Sequence, residues 1–198
     1  MLFYDRTTEN VRIKEIGGGG TIVILATITK SYTGMHIREA QHKDLEIILD
    51  IMNDAIVNTT SIYDYGIRSN EFAENWFTKK QLDKMPVLVC EINGKAVAYG
   101  SYGIFRAWDA YKFSVEHSIY VHKNFQGQGI GKQLLVALID KARKDGYHTM
   151  IAGIDAANQR SCDFHTKLGF FEVGRFKEVG YKFDRWLDLV FMLLMLNE

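Results

Sequence analysis

A glycine-rich segment between a predicted strand and a predicted helix constrains this fold more than any other feature of the sequence. Alternating apolar residues predict a strand over 113–121, and apolar residues in helical register predict a helix over 129–144. Gly127, Gly129 and Gly131 lie where the helix begins. Glycines at a helix N-terminus let backbone N–H groups approach an anion, and the helix dipole favours negative charge there. The segment therefore predicts an anion site whose geometry suits a pyrophosphate.

The spacing of these glycines excludes two common phosphate-binding motifs. A Walker A loop requires Ser or Thr after its lysine, whereas Lys132 is followed by Gln133. A dinucleotide-binding loop requires its third glycine one place later than Gly131. Taken alone, the remaining Gly-x-Gly-x-Gly pattern is also compatible with a tight turn that binds nothing.

The order of the other predicted elements indicates the fold class. The dipeptide Asn93-Gly94 between two apolar runs is a strong hairpin signal. Helices come first, a hairpin follows, and strands then alternate with helices, which predicts an α/β fold with a single mixed sheet covered by helices. The predicted strands are 35–40, 87–92, 96–102, 113–121, 149–154, 170–176 and 187–196, and the predicted helices are 44–58, 69–82, 129–144 and 159–167.

Composition excludes several classes of protein. With 47% hydrophobic and 13% aromatic residues, the 198-residue chain is too apolar to be disordered. Twenty-four basic and 24 acidic residues leave no basic excess for nucleic acid. Cys90 and Cys162 provide neither a disulfide scaffold nor metal-ligand spacing, and the longest apolar run, 187–196, is too short to span a membrane. We expect a soluble, cytoplasmic protein without a metal, a nucleic-acid partner or a membrane partner.

The first 34 residues differ from the remainder of the chain. Four consecutive glycines, Gly17–Gly20, predict a flexible joint, and a β-branched apolar run follows at 21–29. A signal peptide needs positive charge before its apolar segment, but this chain has Asp5, Glu9 and Glu15 there. These acidic residues disfavour export. We therefore divide the chain into an N-terminal extension, 1–34, and a domain, 35–198. The extension is either an appendage, such as an added strand, or the product of a start site upstream of a true start at Met35.

Several separated motifs resemble those of one enzyme superfamily. The run Gln126-Gly-Gln-Gly-Ile-Gly131 resembles the Gln/Arg-x-x-Gly-x-Gly/Ala signature of the GNAT acetyltransferases, and Asn158 with His165-Thr-Lys-Leu-Gly-Phe170 resembles their second marker. Runs beginning at Arg106, Val115 and Val179 resemble the phosphinothricin / methionine sulfone N-acetyltransferase branch. The resemblance extends from Met35 to Leu196 and does not include the N-terminal extension.

The resemblance implies a fold, a cofactor and a reaction. It implies a largely antiparallel central sheet flanked by helices, a homodimer, and acetyl-CoA as co-substrate. The acetyl group would pass directly, within a ternary complex, to the primary amine of a small amino-acid-like acceptor of the methionine sulfone, methionine sulfoximine or phosphinothricin type. The residues that it places on acetyl-CoA are Ile119, Tyr120, Val121, Gln126, Gly127, Gln128, Gly129, Ile130, Gly131, Lys132 and Asn158.

Glu116 is the candidate general base. It is the only acidic residue of the predicted strand 113–121, and alternation places it on the face of Ser118 and Tyr120, opposite Ile119. An exposed glutamate on a solvated face would fit the same pattern, but the resemblance assigns the base to this position. His165 occupies the position where most GNAT enzymes carry a tyrosine thought to protonate the leaving thiolate. A structural histidine is an equal alternative there.

The acceptor's carboxylate needs a cation, and Arg106 can bind it bidentately from the loop before the catalytic strand. The other predicted acceptor-binding residues are Asp109, Ala110, Tyr111, Ile62, Lys182 and Phe183. The apolar final strand, 187–196, is compatible with a dimer contact.

Two rival functions remain open from the sequence. The same fold could acetylate an aminoglycoside, a polyamine or a protein N-terminus. A different class is a non-catalytic module that binds acyl-CoA as a sensor.

Overall fold

The computed structural model describes residues 7–16, 23–32 and 34–197. Its strands are β1 Thr7–Ile16, β2 Val23–Tyr32, β3 His36–Glu39, β4 Val87–Ile92, β5 Lys95–Ile104, β6 Ser114–Val121, β7 Thr149–Asp155, β8 Phe171–Lys182 and β9 Arg185–Met195. Its helices are α1 Leu45–Asn58, α2 Asn70–Leu82, α3 Ile130–Lys144 and α4 Gln159–Thr166.

Seven of these strands form one sheet in the order β3-β4-β5-β6-β7-β9-β8. Neighbouring strands are antiparallel, except for the parallel pair β6 and β7. The predicted single mixed, largely antiparallel sheet is therefore confirmed. The hairpin of β4 and β5 turns at Asn93 and Gly94, which both have positive φ, as a two-residue hairpin turn requires.

Helices α1 and α3 cover opposite faces of the sheet because each has one apolar stripe. In α1, Leu45, Ile48, Met52 and Ile56 recur at helical spacing and pack with Tyr99 of β5 into one buried cluster. On the opposite face, α3 buries Leu134, Leu135 and Leu138 against β-strand residues in a second cluster.

β6 and β7 diverge in the middle of the sheet. They pair only from Ser114 to Glu116 on β6 and from Thr149 to Ile151 on β7. β6 then continues to Val121 on β5, while β7 continues to Asp155 on β9. The divergence opens a gap between two central strands, and this gap positions the site described below.

The last two strands differ from the prediction. β8 reaches Lys182 rather than ending at 176, with register shifts between Phe176 and Gly180. Because β8 pairs outside it, β9 lies within the sheet and its Leu187, Val190 and Met192 are buried in the domain. These three side chains are therefore core residues, and a dimer contact through the final strand stays a prediction.

The N-terminal extension contains β1 and β2, which pair antiparallel in a separate two-stranded sheet. The predicted flexible joint, Gly17–Gly20, lies outside the described residues. Within the described part of the chain, no helix is both long enough and apolar enough to cross a membrane.

Candidate active site

Two connected cavities occupy the gap between β6 and β7. The inner cavity, of about 630 Å³, extends from Glu116 to α2 and α4. The outer groove, of about 740 Å³, extends along the N-terminus of α3. Both are lined by Thr60, Ser61, Ile119, Tyr120 and Asn158. A molecule lying in the outer groove can therefore reach the inner cavity.

The glycine loop, residues 126–132, forms one wall of the outer groove. Gly127 and Gly129 adopt φ of +76° and +79°, a conformation that strains any residue with a side chain, and Gly129 caps α3. The first backbone N–H groups of a helix have no partner within it, so they are free to bind an anion. The predicted acetyl-CoA residues that line this groove are Ile119, Tyr120, Val121, Gln126, Gly127, Gly129, Ile130, Gly131, Lys132 and Asn158. Gln128 alone of that set does not line it.

The strand edge beside the groove also suits acetyl-CoA. Among the described residues, β6 has no strand partner beyond Glu116 on the side of β7, so the backbone of Ile119–Val121 can pair with an extended amide chain there. Arg160, which the sequence did not single out, lines the groove beside Gly127 and adds a positive charge for phosphate. The glycines, the free strand edge and the added cation together fit a pantetheine chain that ends in a pyrophosphate.

Glu116 is half-buried in the wall of the inner cavity. Its carboxylate packs on β7, since a Cβ added to Gly153 would lie 3.1 Å from Glu116 Oε1. Burial raises the pKa of Glu116, and the positive charge of Arg106 opposes that rise. The arrangement disagrees with a glutamate on a solvated face and suits a carboxylate that takes up a proton.

Two stacked histidines form the opposite wall of the inner cavity. The rings of His117 and His165 lie 5.2 Å apart, inclined by 27°. His165 Nδ1 donates to the Ser161 carbonyl oxygen at 2.7 Å, because a carbonyl can only accept, and Nε2 has no partner among the described residues. Burial lowers the pKa of both rings, that of His117 to about 3. Both rings are therefore neutral at pH 7, and Nε2 of His165 carries no proton to give away.

The predicted acceptor-binding residues lie around the inner cavity rather than along its walls. Arg106 is exposed on the loop between β5 and β6, yet close enough to Glu116 to affect its pKa. Ile62 packs against the α1 side of the core. None of the seven residues lines the inner cavity. Four of them lie between β5 and β6, namely Arg106, Asp109, Ala110 and Tyr111, and the other three are Ile62, Lys182 and Phe183.

Lys182 has a clear structural role. Its buried ammonium donates to the carbonyl oxygens of Ile56, Thr59 and Ile62 at 2.6–2.8 Å. An ammonium has three N–H donors, so all of them are used. These bonds hold the segment after α1, including Thr60 and Ser61, in place as a wall of both cavities.

The polar side chains that line the site and that sequence reasoning missed include Lys80, Asp155 and Arg160. The buried Asp155 accepts hydrogen bonds from Thr60 Oγ1 and from Arg185 Nη2, which balances its charge. None of the three belongs to a motif with recognisable spacing, so only the folded arrangement identifies them. Within residues 34–197, no cluster of three His, Cys, Asp or Glu side chains could hold a metal ion.

Known proteins resemble this chain in sequence and in fold. A model of the acetyltransferase (GNAT) family matches residues 48–170. An L-methionine sulfoximine/L-methionine sulfone acetyltransferase from Salmonella typhimurium is 43% identical over 164 residues, which cover 83% of this chain and 96% of the relative.

Solved structures agree with the sequence match. An acetyltransferase from Salmonella typhimurium, with its cofactor acetyl-CoA, superposes with a TM-score of 0.81 at 42% identity, covering 84% of this chain and 96% of the other. A phosphinothricin acetyltransferase from Sinorhizobium meliloti, in complex with acetyl-CoA, superposes with a TM-score of 0.79 at 32% identity. The match covers 82% of this chain and 89% of the other. With these matches and a glycine loop that opens on the gap between two diverging strands, the chain belongs to the GNAT acetyltransferase family.

Proposed function

We propose that this enzyme transfers the acetyl group of acetyl-CoA to the primary amine of a small amino-acid-like acceptor, of the methionine sulfone, methionine sulfoximine or phosphinothricin type. The observation that carries the proposal is the half-buried carboxylate of Glu116 in the wall of the inner cavity, which shares Ile119 and Tyr120 of the same strand with the outer groove. The names of the relatives above support this class of acceptor.

Acetyl-CoA supplies an acetyl thioester as the electrophile. Glu116 takes a proton from the acceptor's ammonium, directly or through a water, which leaves a lone pair on nitrogen. That nitrogen forms the new C–N bond, the C–S bond breaks, and the thiolate of coenzyme A departs. A backbone N–H on the free edge of β6 near Ile119–Val121 stabilises the negative charge on the carbonyl oxygen.

His165 is a candidate acid for the departing thiolate only if its Nε2 carries a proton. Its Nδ1 proton is held by the Ser161 carbonyl, so Nε2 would have to be protonated before it could donate. Burial lowers the pKa of His165 and opposes that protonation. The acceptor nitrogen, which still carries protons after attack, is the other source of a proton in the site.

Arg106 is proposed to attract the acceptor's carboxylate at the mouth of the site. We expect Arg106→Ala to raise KM for methionine sulfone by about fivefold with little change in kcat, because an exposed ionic contact contributes up to about 1 kcal/mol. Steady-state kinetics at saturating acetyl-CoA measures this. Lys112→Ala removes an exposed cation from the same loop and serves as the control. Equal KM values for the two variants would contradict the role.

The choice of acceptor is tested by free-thiol release from acetyl-CoA with methionine sulfone, phosphinothricin, an aminoglycoside and spermidine in parallel. Turnover confined to the two amino-acid analogues is the expected result. Turnover only with the polycations would overturn the acceptor class and leave the family intact. Tight binding of acetyl-CoA with no turnover of any amine would favour a sensor.

We further propose a cytoplasmic homodimer that carries residues 1–34 as an extension outside the acetyltransferase domain. β8 is an edge strand, and its exposed apolar side chains include Phe171, Val173 and Phe176. Exposed apolar edges are unfavourable unless another surface covers them.

If the protein is a dimer, its mass in solution is twice 22.7 kDa. Light scattering coupled to gel filtration measures this mass. Val173→Glu should shift the protein toward the monomer, because it places a charge on the apolar edge. Lys177→Glu changes charge on the same strand and should leave the mass unchanged. A wild-type monomer at micromolar concentration would contradict the proposal.

A further inference from the structure

Helix α2 places one lysine in the inner cavity. Lys80 lines that cavity, and its Nζ donates to the Tyr102 carbonyl oxygen at 2.7 Å. The neighbouring carboxylate on the helix, Asp83, pairs with Lys79 instead. Within the described part of the chain, Tyr102 is the only acceptor that Lys80 bonds, so two of its three N–H donors remain available to a ligand.

The strand register places Lys80 on the same face of the sheet as the candidate base. A Cβ added to Gly103 would lie 3.3 Å from Lys80 Nζ, so the ammonium stands over Gly103. Gly103 pairs directly with Glu116 across β5 and β6. Side chains of directly opposed residues project from the same face, so Lys80 and Glu116 approach one cavity from the same side. The carboxylate of Glu116 lies against Gly153 on β7 rather than against Gly103, and among the described residues it forms no ion pair with Lys80.

The charges along the inner cavity are complementary to an amino acid. Two carboxylates line it, Glu116 and Asp155, and Asp155 is balanced by Arg185. Lys80 is the one Lys or Arg side chain among the described residues that line this cavity. Arg106 lies near enough to affect the pKa of Glu116, but among the described residues neither Glu116 nor Lys80 forms an ion pair. The cavity therefore presents one carboxylate and one ammonium, which match the ammonium and the carboxylate of a zwitterion.

We propose that Lys80 binds the acceptor's α-carboxylate inside the cavity while Glu116 faces its amine. The inference rests on the proposed function and deepens it, since it assigns the residue that distinguishes an amino acid from a simple amine. Burial lowers the pKa of Lys80 to about 8, which still leaves the ammonium mostly protonated at pH 7. Arg106 attracts the same carboxylate at the mouth, and Lys80 makes the inner contact.

The test compares two substrates that differ only in the carboxylate: methionine sulfone and 3-(methylsulfonyl)propylamine. Lys80→Gln keeps a donor for the Tyr102 carbonyl and removes the charge. We expect it to lower kcat/KM for methionine sulfone by about 30-fold or more, the usual loss when one partner of a buried charge pair is removed. The value for the propylamine should change by less than threefold. Lys80→Arg should restore much of the preference for the amino acid.

Lys79→Gln is the matched control, because it removes the adjacent exposed ammonium from the same helix. It should affect neither substrate. If Lys80→Gln lowers kcat/KM equally for both substrates, Lys80 is structural and the inference is wrong, although the proposed function stands. If the wild-type enzyme acetylates the propylamine as well as it does methionine sulfone, the carboxylate is not recognised and the inference is again wrong. Wild-type turnover of neither substrate would overturn the proposed function and the inference together.

Discussion

Glu116→Gln is expected to lower kcat by about 10²- to 10⁴-fold, the usual contribution of a general base. Glutamine keeps the shape of the side chain against Gly153 but cannot accept the proton of the acceptor's ammonium. The outer groove is built from the glycine loop and the edge of β6, so affinity for acetyl-CoA should be unchanged. Thiol-release kinetics and a titration with acetyl-CoA measure the two quantities separately.

Glu46→Gln, an exposed change on α1, controls for the substitution itself. The same experiment separates an enzyme from an acyl-CoA sensor, because a sensor has no turnover to lose. A Glu116→Gln enzyme that retains kcat within threefold of wild type would show that the proton is removed elsewhere.

Lys182→Met is expected to have the largest effect on stability. It removes the donor of three buried hydrogen bonds and leaves the carbonyls of Ile56, Thr59 and Ile62 with one partner fewer. Hydrogen bonds to a charged group contribute roughly 1.5–3 kcal/mol each, so we expect a loss of about 3 kcal/mol or more in the free energy of unfolding. Urea denaturation followed by circular dichroism measures it.

The same substitution should raise KM for the acceptor, because Thr60 and Ser61 would no longer be held beside the inner cavity. Lys177→Met replaces an exposed lysine on the same strand. Its free energy of unfolding should be within about 0.5 kcal/mol of the wild-type value. Equal stability of the two variants would mean that the contacts of Lys182 are replaced by water at little cost.

Local sequence signals predicted most of the fold because they depend on near neighbours in the chain. The spacing of apolar residues placed α1 and α3 to within one residue at their N-termini. Asn93 and Gly94 predicted their hairpin because few other residue pairs accept two positive φ angles. The glycine loop was predicted because its three glycines lie where a helical pattern begins, and all its residues except Gln128 line a groove.

Features that depend on distant contacts could not be predicted in this way. The sequence indicated Lys182 as an acceptor-binding residue, and only the fold brings Ile56, 126 positions earlier, against it. Lys80 lies on a helix with a weak apolar pattern, so nothing in the sequence marks the face that meets Gly103. The sequence of β9 shows only an apolar strand at the end of the chain. Its pairing with β8, which places it inside the sheet, is not visible in that pattern. Whether Glu116 is exposed depends on where β6 and β7 separate, which is a property of the sheet.

The most direct test of Glu116 as the base is the pH dependence of kcat for wild type and Glu116→Gln at saturating acetyl-CoA and methionine sulfone. A base must be unprotonated to act, so activity is lost as pH falls through its pKa. Since burial raises the pKa of Glu116, we predict that the wild-type loss begins above the pH expected for an ordinary glutamate of pKa about 4.3. The residual activity of Glu116→Gln should lack that acid limb. An identical acid limb in both enzymes would contradict the assignment of Glu116 as the base.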